Sequence, residues 1–316
     1  MDLETLIDSI RKGDQMAISR AISLVETTKV NSSVRKIISS IYPDTGRSHV
    51  VGITGPPGIG KSTIIGRTAG ILHDSGINVS VLAIDASSPF SGGSFLGNRI
   101  RMQESLSSRG IFMRSIANRG ISGGISRSAW DVVKILDASG SDIIIVETVG
   151  AGQADLEVRD LVDTVVVVLG PGLGDEIQAI KAGIMEIGDI FIINKMDRDG
   201  AFLAMKDIEE TLAMNPSKGW KIPVIGLNSL NGDGYDVLIR VLEDRNKYVK
   251  DNSVIRKKRH IMELKTIVQN AMLSKINEEF LDSNFIEDII SGMEEGRSDP
   301  YSAADSIYDS IFGHRK

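Results

Sequence analysis

Eight consecutive residues constrain this chain more than any others. Gly55-Pro56-Pro57-Gly58-Ile59-Gly60-Lys61-Ser62, followed by Thr63, has the form GxxxxGK[ST] and lies between the run VVGIT and the helical run STIIGRTAGILHDSG. The pattern requires a strand, a tight loop and a helix in that order. Glycines let the loop curl so that successive N–H groups point inward, and the helix N-terminus adds the positive end of its dipole. Lys61 brings a mobile charge to the β and γ oxygens of a nucleotide, and Ser62 offers a hydroxyl to Mg²⁺. Gly55, Pro57, Gly58, Ile59, Gly60, Lys61, Ser62 and Thr63 are thus the expected phosphate cradle.

Around the cradle, seven short apolar runs alternate with helical stretches: HVVGITG, NVSVLAID, IFMRSI, DIIIVET, TVVVVLG, IFIINK and PVIGLNS. Runs this apolar on consecutive residues suit strands buried on both faces, joined by right-handed helical crossovers. The expected fold is a P-loop NTPase: a three-layer α/β/α domain with a mostly parallel central sheet over residues 46–245. Residues 1–45 read as a helical preface, with Leu3, Leu6, Ile7 and Ile10 and then Met16, Ala17, Ala21, Leu24 and Val25 at helical spacing after an Asp14 cap. Residues 246–316 read as charged amphipathic helices, suited to an interchain contact or to packing on the chain's own core. The Ser/Gly-rich stretch from Ser87 to Gly124 has the composition of moving loops beside the nucleotide.

The second motif, Asn194-Lys195-Met196-Asp197, ends the strand IFIIN and has the form NKxD. A carboxylate at Asp197 can accept hydrogen bonds from the N1–H and 2-amino groups of guanine, a donor pair that adenine lacks. Unpaired buried donors cost about 1–3 kcal/mol each, so this one side chain can set base preference. Asn194 would bridge base and loop, and the Lys195 stem would lie over the ring. At the end of DIIIV, Glu147 is placed to hold a metal-bound water and Gly150 to bring its N–H to the γ-phosphate, while Gln153 could orient the attacking water. Asp85 ends its strand at the same sheet edge. A further loop, Pro171 to Gln178, opens a helix bearing Lys181, though plain helix capping would give the same pattern.

Composition narrows the partners. Lys and Arg total 36 against 42 Asp and Glu, a net charge of −6, so nothing drives the chain toward nucleic acid or anionic membrane. With no cysteine and only His49, His73, His260 and His314, a soft transition-metal site is disfavoured. No secretory leader or bilayer-length apolar run is seen, which predicts a cytoplasmic protein without a membrane partner.

Together, GPPGIGKST, DASSPFSGGSFLGNRIRM, ETVGAGQ, PGLGDEIQAIKAGIMEI and NKMD resemble the MeaB/MMAA (ArgK-like) family, the GTPases associated with methylmalonyl-CoA mutase. The resemblance covers nearly the whole chain, including the preface RKGDQMAISRAISLVE. It implies a homodimeric G-protein chaperone that binds GTP or GDP with Mg²⁺, gates cofactor loading on an adenosylcobalamin-dependent mutase, and protects or reactivates that enzyme. By matching motif, Gly58, Gly60, Lys61, Ser62 and Thr63 would hold phosphates and metal, with Asp85 and Glu147 around magnesium; the expected catalytic residues are Lys61, Glu147 and Gln153, and the expected metal set is Ser62, Asp85, Asn98 and Glu147. Asn194, Lys195, Asp197 and the loop Asn228-Ser229-Leu230 would hold the base. Two departures stand out. Asn98 occupies a position that is usually acidic, which predicts weaker metal affinity or slower hydrolysis; an Asn98→Asp variant improving neither would contradict this. Asn228-Ser229-Leu230 replaces the usual Ser-Ala-Leu, leaving the first side chain's role open.

Hydrolysis would proceed by in-line attack of water on the γ-phosphate, the site being completed on a conformational change or by a partner, with Arg99, Arg101 and Lys181 as the candidates near the switch segments. The competing readings are a metallochaperone-type GTPase, an ATP-dependent kinase, and a nucleotide-binding scaffold without turnover.

Overall fold

The computed structural model describes residues 2–26, 32–86, 94–118, 127–148, 158–172, 183, 185–214, 219–280 and 283–313. Its seven strands are β1 His49–Thr54, β2 Val79–Ala86, β3 Phe112–Asn118, β4 Ile143–Thr148, β5 Thr164–Leu169, β6 Ile190–Ile193 and β7 Val224–Gly226. They form one sheet in the order β3-β2-β4-β1-β5-β6-β7, with each adjacent pair parallel. Each of the seven apolar runs is one of these strands.

β1, β4, β5 and β6 are buried at every position, as a sheet covered on both faces demands. Successive side chains point to opposite faces, so neighbours in sequence enter different cores. Val51, Ile145, Val166 and Ile192 pack with Ile64, Ile65 and Leu72 of α4 (Lys61–Asp74). Leu106 of α5 (Ser94–Ser107) and Leu238 of α8 (Tyr235–Asp251) join the same core. Val50, Ile144, Val165 and Phe191 face the other way, toward α6 (Arg127–Ala138), α7 (Ala201–Met214) and the N-terminal helices.

Those helices are α1 Leu3–Arg11, α2 Gln15–Val25 and α3 Ser32–Ile41. Asp2 and Asp14 cap the first two, accepting from Thr5 N at 2.9 Å and Ala17 N at 2.7 Å. Their buried stripes, including Ile10, Ile22, Ile37 and Ile41, share one core with Trp130 and Ile135 of α6. Met16 departs from expectation: it is exposed, because the stripe of α2 runs through Ala17, Ile18, Ala21, Ile22 and Val25, and Met16 lies off that face.

By compactness the chain separates into residues 1–263 and 264–316, and α9 (Ser253–Phe280) crosses the division. The second unit adds α10 (Ser283–Glu294) and α11 (Pro300–Phe312), the latter capped by Asp299. Lys275 donates to the carbonyl of Ile311 and sits 5.3 Å from the Phe312 ring centre. Leu264, Ile267, Val268 and Met272 are exposed and recur at helical spacing, so they form an apolar face on α9.

The first residue of β1 carries a pH dependence. His49 is 2% exposed and burial pushes its pKa from 6.5 down to about 4. Between those values the unfolded chain binds the extra proton, so stability rises with pH over this window and is lost as pH falls through it. The full shift corresponds to on the order of 3 kcal/mol. A His49→Gln variant is therefore expected to lose that much less stability than wild type between pH 7 and pH 4 in urea titrations. Equal losses would show that His49 does not carry the dependence.

Candidate nucleotide site

The strand order turns at β1: β4 and β2 lie on one side and β5 on the other. In open α/β sheets such a switch point opens a crevice at the C-terminal strand edge. The phosphate loop leaves β1 at that edge. Gly55 has φ 144°, and a Cβ there would stand 2.1 Å from the carbonyl oxygen of Val168. That contact is backbone on backbone, so no rotamer change relieves it. A Gly55→Ala variant is expected to lose at least about 2–3 kcal/mol of stability, with a measurable fall in melting temperature. An unchanged melting temperature would contradict this placement of the loop.

Lys61 is buried at the start of α4, and its Nζ donates to the carbonyls of Gly55 at 2.6 Å and Pro56 at 3.1 Å. The ammonium is thereby held over the loop from which it would meet phosphate oxygens. One residue on, Ser62 Oγ donates to Glu147 Oε1 at 2.7 Å. Glu147 is 4% exposed; its Oε2 accepts no hydrogen bond and lies 3.5 Å from Nη2 of Arg99. Thr148 Oγ1 donates to Thr54 Oγ1 at 3.0 Å, which ties the β4 tip to β1.

A cavity of about 780 Å³ opens over the loop and is lined by Lys61, Ser62, Thr63, Glu147, Arg99 and Arg101, among others. That lies within the usual 300–1,000 Å³ of small-molecule sites. Asp85 stands one residue from the end of β2 and Asn98 on α5; their backbone positions alone are described. Gly150, Gln153 and Lys181 lie outside the described residues.

The oxygen-only set of Ser62 and Glu147 fits a hard cation. Among the described residues no group of three or more His, Asp or Glu could form an all-protein metal cage. Magnesium bound mainly through substrate phosphates needs no such cage.

The base motif reaches the same crevice from β6. Asn194 is fully buried and donates from Nδ2 to the carbonyl of Ile59 at 2.7 Å and to Ser229 Oγ at 3.2 Å, while its Oδ1 accepts from Ser229 N at 3.0 Å. Lys195, at φ 62°, donates to the carbonyl of Gly58 at 3.0 Å. NKxD is thus laced directly to the phosphate loop. Asn228 Nδ2 donates to Asp197 Oδ1 at 2.9 Å, and Asn228 Oδ1 accepts from Leu230 N and Asn231 N at 3.0 and 3.3 Å. The departure at position 228 therefore has a structural use: its amide orients the Asp197 carboxylate and closes the following turn. Leu230 itself is exposed.

Arg67 was not apparent from sequence. From α4 it donates to the carbonyls of Leu230 at 3.0 Å and Asn231 at 3.3 Å, 163 and 164 residues away. Its position one and a half turns after Lys61 carries no local signal of that reach. The Thr54–Thr148 tie was equally hidden, because each threonine reads locally as an ordinary strand end.

Comparison with known proteins gives a consistent assignment. Residues 18–280 match the family described as methylmalonyl Co-A mutase-associated GTPase MeaB. A protein of Pyrococcus horikoshii assigned as a GTPase is 42% identical over 318 residues, covering 98% of this chain and 99% of that one. The GTPase ArgK of Escherichia coli is 34% identical over 250 residues, covering 76% of each chain. A crystal structure described as an LAO/AO transport system kinase has a TM-score of 0.71 at 23% identity, covers 98% of this chain and 97% of that one, and shows the shared fold. With a family match across most of its length and a P-loop laced to an NKxD strand end, this chain belongs to the MeaB family of methylmalonyl-CoA mutase-associated GTPases.

Proposed function

We propose that this GTPase is a Mg²⁺-dependent chaperone of an adenosylcobalamin-dependent methylmalonyl-CoA mutase, gating cofactor loading and protecting or reactivating the enzyme. The observation that carries the nucleotide half of this reading is the bonding of Asn194 to Ile59 and of Lys195 to Gly58, which sets a guanine-reading edge beside a phosphate cradle. In this reading Asp197, oriented by Asn228, accepts from the guanine N1–H and 2-amino groups. Asn194, Lys195, Ser229 and Leu230 frame the base, and the loop from Gly55 to Thr63 holds the phosphates.

Ser62 and Glu147, with Asp85 and Asn98, would hold the metal. When bound, Mg²⁺ neutralises charge on the β- and γ-phosphate oxygens. Opening that position requires the Ser62–Glu147 hydrogen bond and the Arg99–Glu147 ion pair to rearrange. Lys61 then exchanges its loop carbonyls for phosphate oxygens and stabilises the charge left when the bond to the bridging oxygen breaks. Gln153 orients the attacking water, which adds to the γ-phosphorus and leaves phosphate and GDP. Arg99 and Arg101, lining the cavity, are placed to respond to nucleotide state.

The functional divisions we assign are a helical preface over 1–45, the GTPase domain over 46–245 and a dimerisation arm over 246–316. The exposed face of Leu264, Ile267, Val268 and Met272 supports a homodimer formed through that arm. Among the described residues no helix is long and apolar enough to cross a membrane. A cytoplasmic location is a separate part of this reading.

The deciding experiment measures GTP turnover by the purified protein with Mg²⁺, alone and with its cognate adenosylcobalamin-dependent mutase. Slow turnover accelerated by the mutase is the expected result. Intact GTP binding with turnover indifferent to the mutase would sink the chaperone reading and leave the GTPase.

A further inference from the structure

The turn that closes the base site is fastened from two directions. On one side Ser229 is held by Asn194, and Asn228 reaches Asp197. On the other the fastening comes from α4: Arg67 donates from Nη1 to the carbonyl of Leu230 at 3.0 Å and from Nη2 to that of Asn231 at 3.3 Å. The Leu230 side chain is 82% exposed, so apolar burial contributes little here and polar contacts set the shape of the turn.

The peptide unit between Leu230 and Asn231 is engaged at both ends. Its carbonyl accepts from Arg67, and its N–H donates to Oδ1 of Asn228 at 3.3 Å. Hydrogen bonds in series polarise one another, so loss of the first weakens the rest. The side-chain amide of Asn228 is planar, so fixing its oxygen also fixes its nitrogen, and that nitrogen donates to Asp197 Oδ1 at 2.9 Å. A continuous line of hydrogen bonds therefore runs from Arg67 through the Leu230–Asn231 peptide and Asn228 to Asp197.

The near end of that line is itself held. The guanidinium carbon of Arg67 stands 5.2 Å from the centre of the Tyr235 ring, and Tyr235 is buried at the start of α8. A Cβ at Gly232 would stand 2.2 Å from Nη2, so the guanidinium lies directly against the backbone of the turn. Its N–H groups form a rigid planar fork that meets two neighbouring carbonyls at once, which a lysine ammonium does not match. Arg67 follows Lys61 by six positions, ~9 Å along the axis of α4.

We propose that Arg67 is a positioning residue for guanine recognition, acting through the Leu230–Asn231 peptide and Asn228 to aim the Asp197 carboxylate at the base. The helix that opens with Lys61 and Ser62 thereby also sets the base-reading edge. This role rests on Asp197 being the acceptor for the guanine N1–H and 2-amino groups.

The test compares GDP with inosine diphosphate, which lacks the 2-amino group, by displacement of a fluorescent GDP analogue from the full-length protein with Mg²⁺. Wild type is expected to favour GDP by about tenfold or more, the worth of one charge-assisted hydrogen bond. Arg67→Met, which keeps an apolar stem but removes both donors, is expected to cut that preference about fivefold or more, with Arg67→Lys intermediate. In an Asn228→Ala background, Arg67→Met is expected to lower the preference no further. A preference unchanged in Arg67→Met, with both diphosphates weakened equally or not at all, would overturn the role of Arg67 and leave Asp197 as the reader of the base. A further several-fold drop in the Asn228→Ala background would overturn the route through Asn228. Wild-type protein that binds the two diphosphates equally would overturn the reading of Asp197, and the positioning role with it. If thermal melts show that Arg67→Met is too unstable to titrate, Arg67→Lys decides, and a wild-type preference in that variant overturns the role.

Discussion

Replacing Lys61 with alanine should lower GTP turnover by about three orders of magnitude or more while leaving the fold intact. Phosphoryl transfer asks little covalent work of a protein; its barrier falls mainly through charge placed where the leaving oxygens become negative. Lys61 is the cation that the loop itself supplies. Its Nζ is held by two carbonyls of the same loop, so it is positioned before any substrate arrives and spends little entropy on reaching the phosphates. A buried charged donor within a preorganised site is worth several kcal/mol at the transition state, which gives the thousandfold estimate. Single-turnover phosphate release at saturating Mg²⁺ and GTP measures the effect, with circular dichroism as the check on folding. Turnover within tenfold of wild type would remove Lys61 from the chemistry.

Exchanging Asp197 for asparagine should lower GTP affinity by about 10²–10⁴-fold and confer binding of xanthosine triphosphate. The carboxylate has lone pairs enough to accept from Asn228 Nδ2 and from a base together. Asparagine turns one acceptor into an NH₂ donor, which opposes the guanine 2-amino group but suits the carbonyl that xanthine carries at the same position. Two charge-assisted hydrogen bonds, each worth about 1.5–3 kcal/mol, account for the range. Competition with a fluorescent GDP analogue, using GTP, ATP and xanthosine triphosphate, gives the result directly. A variant that keeps GTP affinity and gains nothing for xanthosine triphosphate would mean that another group reads the base.

These effects concern residues that sequence alone could name, since both motifs pack their chemistry into a few consecutive positions. The strands were legible for a related reason. A run such as DIIIVET leaves no polar face, and among soluble folds that pattern suits a sheet covered on both sides, so the order of elements and their parallel connection followed. The cap at Asp14 was equally local. Met16 misled because an apolar residue near a helical stripe satisfies periodicity without facing the core.

What sequence left open depends on segments far apart along the chain. That Asn228 orients Asp197, that Arg67 holds the turn after Asn228, and that Ser62 meets Glu147 are facts about strand ends and helices brought together by sheet order. The same holds for a cavity lined by both His49 and Trp130, 81 positions apart in sequence with no shared motif. Sequence by itself determined the parallel sheet, the phosphate loop and the guanine signature, because hydrophobic period and backbone permissiveness act over a few residues. Tertiary structure alone decided which side chains complete one another's hydrogen bonds, because burial removes water as a partner and leaves each polar atom to whatever the fold has placed within reach.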